Sequence, residues 1–213
     1  MKKEFDACPE AIDESGLYGF SWMEHVAAVP SPLVLVTGYK SNGLPNATMQ
    51  SWCTFVGEEG YHCLFSGVHK QGHMYRSLQE TGCCVVNFPS KDCFLKCMDT
   101  VSNNGFDQDE IAASGLTAEP AGKVNAPRVR ECFLNLECRL EWERDLTAEG
   151  THAVVCLKVV NLCMDEARYQ QGLGRYGADG YLYNIHSPRN PETGEAAETR
   201  VGTLNPYATY GEL

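Results

Sequence analysis

Three residues at the start of a strand-like stretch raise the first chemical question. In "GLPNATMQSWCTFVGEEGYHCLFS" (residues 43–66), alternating apolar positions and a "GEEG" turn predict two strands, around 46–56 and 61–66. The first opens with Asn46, Ala47 and Thr48, where a buried strand favours bulky β-branched residues. Such a strand end is small and rich in hydrogen-bonding groups. A sheet edge solvated by polar residues is its plain explanation.

The cysteines are the second chemically loaded feature. There are 11 of them, with no Cys-x-x-Cys pair, which argues against a disulfide framework or an ordinary zinc site. Most read as small core hydrophobes in a reducing cell. Cys93 and Cys97, four apart in "KDCFLKCMD", share a helix face. A core-facing stripe with Phe94 nearby is favoured there over a metal or redox role, and no metal ligands are expected. Neither common nucleotide-binding glycine motif occurs, nor does Gly-x-Ser-x-Gly or His-Glu-x-x-His.

The elements that must position these residues can be read along the chain. Residues 21–29 predict a short amphipathic helix ending at Pro30, "PLVLVTGY" a buried strand, and "SNGLPN" a turn. A helix over 70–80 stops at Gly82, "CCVVNF" is a short buried strand, and residues 90–101 look helical. "NNGFDQDEIAASG" holds a turn and a further short helix. "ECFLNLECRLEWE" alternates with period two. Cys132, Leu134, Leu136, Cys138, Leu140 and Trp142 are expected inside, with Glu131, Asn135, Glu137, Arg139, Glu141 and Glu143 outside. "THAVVCLKVVNLC" is apolar on both faces and belongs nearer the centre of a sheet. The tail from Gly172 reads as loops or an arm. Many strands with few helices predict a mainly β protein, a β-barrel with peripheral helices.

With 28 acidic against 17 basic side chains, the net charge of −11 repels nucleic acid and anionic membranes, so neither is an expected partner. "MKKEFDACPEAIDESG" lacks the apolar core of a signal peptide, and "HVAAVPSPLVLVTG" is too short to span a bilayer. The expectation is a soluble, cytoplasmic protein whose 213 residues form a single domain, with its core at roughly 22–165 and a C-terminal arm over 166–213.

Five blocks in order carry a resemblance: "PSPLVLVTGYKSNGLPNATMQSW", "LFSGVHKQ", "LQETGCCVVNFPS", "GLTAEPAGKVNAPRVRECFLNLEC" and "GTHAVVCLKVVNL". With them the chain resembles the flavin reductase-like, FMN-binding split-barrel family, particularly its flavoredoxin-type branch. The resemblance implies a split β-barrel whose Asn46-Ala47-Thr48 strand lies against FMN, with Trp52 further along. Small side chains there let the backbone approach the flavin, whose edges offer carbonyl acceptors and an N–H donor. It also implies that Ser66, His69, Lys70 and Gln71, just before a helix, hold the phosphate. His69 and Gln71 stand where the family has Arg and Thr, which leaves Lys70 to supply the charge. Asn87 corresponds to a strand-end Asn shaping the same pocket, and His152 to a His near the flavin able to bond the ring or a nicotinamide. The short helix of "FDQDEIAASGL" is acidic where relatives carry a Lys.

The activity so implied is NAD(P)H-dependent reduction of flavin, with NADH or NADPH as co-substrate. The alternative is a flavoredoxin-like FMN electron carrier that docks a redox-protein partner. The resemblance further implies a homodimer whose second chain helps to wall the flavin site. A metal- or cluster-binding redox protein using Cys93 and Cys97 is a third, less favoured reading.

Overall fold

The computed structural model describes residues 2–10, 12–13, 17, 20–170 and 174–206. They divide into two compact units: residues up to Ser31 with Tyr183–Gly202, and Pro32–Leu182 with the residues from Thr203. Residues 22–31, expected with the core, thus fall in the first unit.

In the first unit, α1 (Trp22–Ala27) begins at Ser21, whose hydroxyl accepts the Met23 N–H, and ends at Ala28 in a left-handed conformation. This matches the helix expected before Pro30. Trp22 packs with Ile12 and Leu17, backed by Phe5 and Val26. The chain passes from the first unit to the second within the next strand, β1 (Ser31–Pro32).

The second unit continues with β2 (Val34–Tyr39), β3 (Pro45–Gln50), β4 (Cys53–Val56), β5 (His62–His69), α2 (His73–Thr81), β6 (Cys83–Phe88), α3 (Phe94–Asp99) and α4 (Glu110–Ala113). It is completed by β7 (Ala118–Pro120), β8 (Pro127–Val129), β9 (Leu134–Asp145), β10 (His152–Met164) and α5 (Glu166–Gln170). The tail then adds two short strands, β11 (Leu182–His186) and β12 (Arg200–Thr203), which pair in the order β1-β11-β12. The expected arm therefore contains strands. Their hydrogen-bond partners are distant in sequence, and neither stretch alternates clearly enough to announce itself.

Seven strands pair in the order β3-β2-β6-β9-β10-β5-β4. The two edge strands, β3 and β4, are consecutive and separated only by Ser51 and Trp52. Laid flat, six strand spacings would hold those edges about 29 Å apart. The three Cα–Cα steps from Gln50 to Cys53 reach about 11 Å at most. The sheet must roll until its edges meet, which makes a barrel left split where β3 and β4 do not pair. The turn at the split is sharp: Trp52 adopts φ +48, a left-handed conformation uncommon for a bulky residue. The uninterrupted strand expected over 46–56 is therefore two strands hinged at this residue.

Val34, Val36, Phe65, Leu78, Val86, Leu136 and Leu157 fill the main core. Each contributes about 1.5–3 kcal/mol by leaving water. β6 is buried at every position and β10 lies between β9 and β5, as their sequences predict. Burial pushes the Cys53 thiol up to about 12 and raises Cys63 as well, so these two behave as neutral packing groups.

β9 departs from its expected faces. Asn135 and Glu137 are buried, whereas Trp142 is 41% exposed. The segment carrying β7 and β8 covers the polar face of the first half of β9. There Glu137 accepts the N–H groups of Gly122 and Lys123 at 2.8 and 2.6 Å. The far end of the strand lacks that cover. The strand is half-exposed along its length rather than across its faces.

Candidate functional site

Ser66 and Gly67 form a β-bulge. Across the ladder Val68 pairs with Ala153 and Phe65 with Val155, so two residues of β5 face the single Val154 of β10. Gly67 adopts φ +76, a conformation glycine takes without strain. The bulge turns Ser66 outward to meet the hinge, where its hydroxyl donates to the Trp52 carbonyl at 3.1 Å. A Cβ on Gly67 would stand 3.9 Å from the Trp52 ring. Two backbone irregularities thus meet at the split of the barrel.

Beyond the bulge the exposed His69 faces His152 across the ladder, with ring centroids 5.0 Å apart and edge to face. Lys70 pairs with Asp145 at the end of β9, so the cation carries its own counter-ion. That pairing holds the ammonium pKa above its usual value. Gln71 is exposed, and α2 begins after Gly72 with no side chain capping its first turn. Uncapped N–H groups at a helix start are a ready site for an anion.

On β3, Asn46 and Thr48 share a face and are linked by an Asn46 Nδ2 to Thr48 Oγ1 hydrogen bond of 3.4 Å. Asn46 is buried, and its Oδ1 has no hydrogen-bond partner. A buried acceptor left unsatisfied costs about 1–3 kcal/mol, so it calls for a donor. Ala47 faces the opposite way, into a second cluster with Leu35, Cys97 and Ile111. Its N–H donates to Glu110 Oε2 at 2.8 Å. Both the side chain and the N–H of Ala47 are therefore engaged inside the protein.

Glu110 was not singled out from sequence, nor was Lys40. The carboxylate is fully buried at the start of α4, which Asp109 caps by accepting the N–H groups of Ile111 and Ala112. Lys40 Nζ lies 3.1 Å from Glu110 Oε1 and donates also to the carbonyls of Gly105 and Gln108 at 2.9 and 2.6 Å. All three ammonium hydrogens therefore have an acceptor. His73 Nδ1, in the first turn of α2, stands 3.1 Å from the same carboxylate oxygen. One buried acid thus ties together α4, the turn after β2, the start of α2 and the backbone of β3. The cation of this cluster comes from Lys40, while the short helix, acidic where relatives carry a Lys, supplies the carboxylate. The only sequence signal for the cluster was the Asp109 cap in "DQDEIAASG".

Asn87 stands apart from this surface, fully buried in the sheet. Its Nδ2 donates to the Leu35 carbonyl and Thr37 Oγ1 at 2.8 and 3.0 Å, and its Oδ1 accepts from Val129 N and Asn135 Nδ2 at 3.0 and 2.9 Å. It cross-links β2, β6, β8 and β9, and its polar atoms are engaged inside the barrel. Two cavities open beside Lys40, of about 670 and 110 Å³. Neither is lined by Thr48, Trp52, Ser66, His69, Lys70, Gln71 or His152. Of the residues inferred for cofactor binding, Trp52 and Ser66 meet at the split, whereas Asn46, Ala47 and Asn87 are buried.

Residues 26–184 match the model of the family described as "Flavin reductase like domain". A protein of Methanothermobacter thermautotrophicus is 25% identical over 188 residues, covering 87% of this chain and 86% of its own length. Among solved structures, nitrilotriacetate monooxygenase component B from Bacillus cereus superposes with a TM-score of 0.75 at 19% identity, covering 98% of this chain and 100% of that one. Flavoredoxin of Desulfovibrio vulgaris (Miyazaki F) gives a TM-score of 0.63 at 20% identity, with 84% and 90% covered.

Proposed function

Because the chain belongs to the flavin reductase-like family and folds as its split barrel, we propose that it binds FMN at the split and reduces it with NADH or NADPH. The observation that carries this reading is the buried, unpartnered Asn46 Oδ1 on the strand that the family sets against its flavin. The donor set fits the group. Asn46 offers an acceptor for a ring N–H, and Thr48, Ser66 and Gln71 offer short polar contacts. The uncapped start of α2 suits a phosphate. Trp52 and the neighbouring histidines, His69 and His152, border the same surface.

A flavin, when bound, accepts hydride from a reduced nicotinamide and supplies the redox chemistry itself. The protein's part is to hold the ring, leave one face open to the nicotinamide, and orient it through Asn46 and Thr48. In this reading His152 is placed to bond the ring or the nicotinamide, and a second copy of the chain walls the site.

The test is the absorbance spectrum of the purified protein before and after anaerobic NADH and NADPH. A bound-flavin spectrum that bleaches with either nicotinamide is expected. Bound flavin that neither reduces identifies the electron-carrier alternative, and a protein that takes up no FMN overturns the site.

Lys70 gives a finer expectation. Because Asp145 already neutralises it, Lys70→Ala should weaken FMN by only about two- to fivefold, in keeping with an exposed ion pair. Riboflavin, which lacks the phosphate, should bind as before. Asp145→Ala, which frees the cation, should leave FMN affinity unchanged or raised. Parallel flavin fluorescence titrations check all three, and an equal loss of riboflavin binding in Lys70→Ala would place the lysine elsewhere.

A further inference from the structure

The sulfurs of Cys93, Cys97 and Cys132 all lie within 4.8 Å of one another. Cys93 and Cys97 lie one helical turn apart at α3, and Cys132 comes from the turn before β9. Exposure is 4%, 0% and 2% respectively, among Leu35, Ile111, Leu116 and Val129. The pair read from sequence as a packing stripe is therefore two-thirds of a converging, closed set of three soft ligands.

Coordination number and charge select what such a set can hold. Zinc takes four ligands in a structural site, and the closed pocket offers three. A monovalent soft ion bound by three thiolates would leave two uncompensated negative charges in an apolar pocket, at high cost. The Cys93 thiol itself donates to the carbonyl oxygens of Ser90 and Glu131 at 3.6 and 3.4 Å. Charge cancels only with a trivalent centre that needs three sulfurs and no fourth ligand.

We propose that Cys93, Cys97 and Cys132 form a tris-thiolate site for a trivalent metalloid hydroxide, of which arsenous acid is the chemical type. Three As–O bonds break and three As–S bonds form. Each thiol proton leaves with a hydroxyl as water, so that As(OH)3 and three thiols give As(SR)3 and three waters. No redox step is involved, and both reactant and product are neutral. At a metal–sulfur bond of about 2.3 Å three ligands stand no more than about 4 Å apart, so each sulfur moves by less than about 1 Å. Entry requires α3 to open locally. This helix is six residues long and exposes Leu95 by 73%, which marks it as an element that frays without global unfolding. The site rests on its own geometry, independent of the flavin reading.

Anaerobic incubation of the full chain with arsenite, followed by mass spectrometry under non-denaturing conditions, tests this. The expected adduct is one arsenic less three hydrogens per chain. Cys132→Ser should bind at least about tenfold more weakly. Cys8→Ser/Cys163→Ser, which removes the two half-buried cysteines, should bind as the parent does. Alkylation of the parent in denaturant after uptake should find Cys93, Cys97 and Cys132 protected together, a measurement that needs no variant to fold. An adduct retaining a hydroxyl, no adduct in excess arsenite, protection of other cysteines, or unchanged binding by folded Cys132→Ser would each overturn the proposal. So would a zinc adduct at these residues that arsenite fails to displace.

Discussion

Glu110→Ala is expected to cost about 3–5 kcal/mol of folding stability, the usual penalty for stranding one member of a buried ion pair. The side chains of Glu110 and Lys40 are 0% and 2% exposed, so the lysine cannot turn to water when its partner is lost. The Ala47 N–H loses its acceptor in the same change. Urea unfolding measures the effect, with the slope against denaturant checked for constancy. The double variant Lys40→Met/Glu110→Gln removes the stranded charge and keeps an acceptor for Ala47. It should recover most of the loss, since a buried pair replaced as a unit is often near neutral. A single-variant loss below about 1 kcal/mol would mean that the cluster is solvated and of no structural weight.

Thr48→Trp should lower FMN affinity by at least tenfold, about 1.4 kcal/mol, while the barrel stays folded. Thr48 is half-buried on an edge strand and lies beside the unpartnered Asn46 Oδ1. An indole at that position occupies the surface the ring needs. Tryptophan is well tolerated in strands, so stability should change little. FMN titration followed by flavin fluorescence, paired with thermal unfolding of the apoprotein, separates the two effects. Unchanged affinity in a folded variant would remove β3 from the site and leave the fold assignment untouched.

How much of this was legible in the sequence depends on where the deciding partner lies. Buried strands such as β2 and β6 showed themselves because most of their own residues are apolar. The stop of α2 was visible because Gly82 carries its own conformational signal. The faces of β9 were misread because alternation reports contrast, not what covers each face. Its cover is a separate hairpin, β7–β8, that arrives earlier in the chain. The hinge at Trp52 was invisible because nothing about a tryptophan announces φ +48. The need for it comes from joining two edges of one sheet. Glu110, Lys40 and Cys132 share one reason: each acquires its role from a residue dozens of positions away. The strand at 46–48 stood out because its own residues are out of place in a buried strand.

The strand order also sets a schedule for synthesis. β4 and β5 leave the ribosome together, yet the partner that completes their sheet is β10, roughly 80 residues later. At about 5–20 residues per second that gap is several seconds. During it Cys53 and Cys63, buried in the finished barrel, belong to a segment that β10 has not yet covered. Oxidants reach those thiols during that interval and not afterwards. Damage there would accumulate with the rate of translation under oxidising conditions, and mature protein exposed to the same oxidant would be spared.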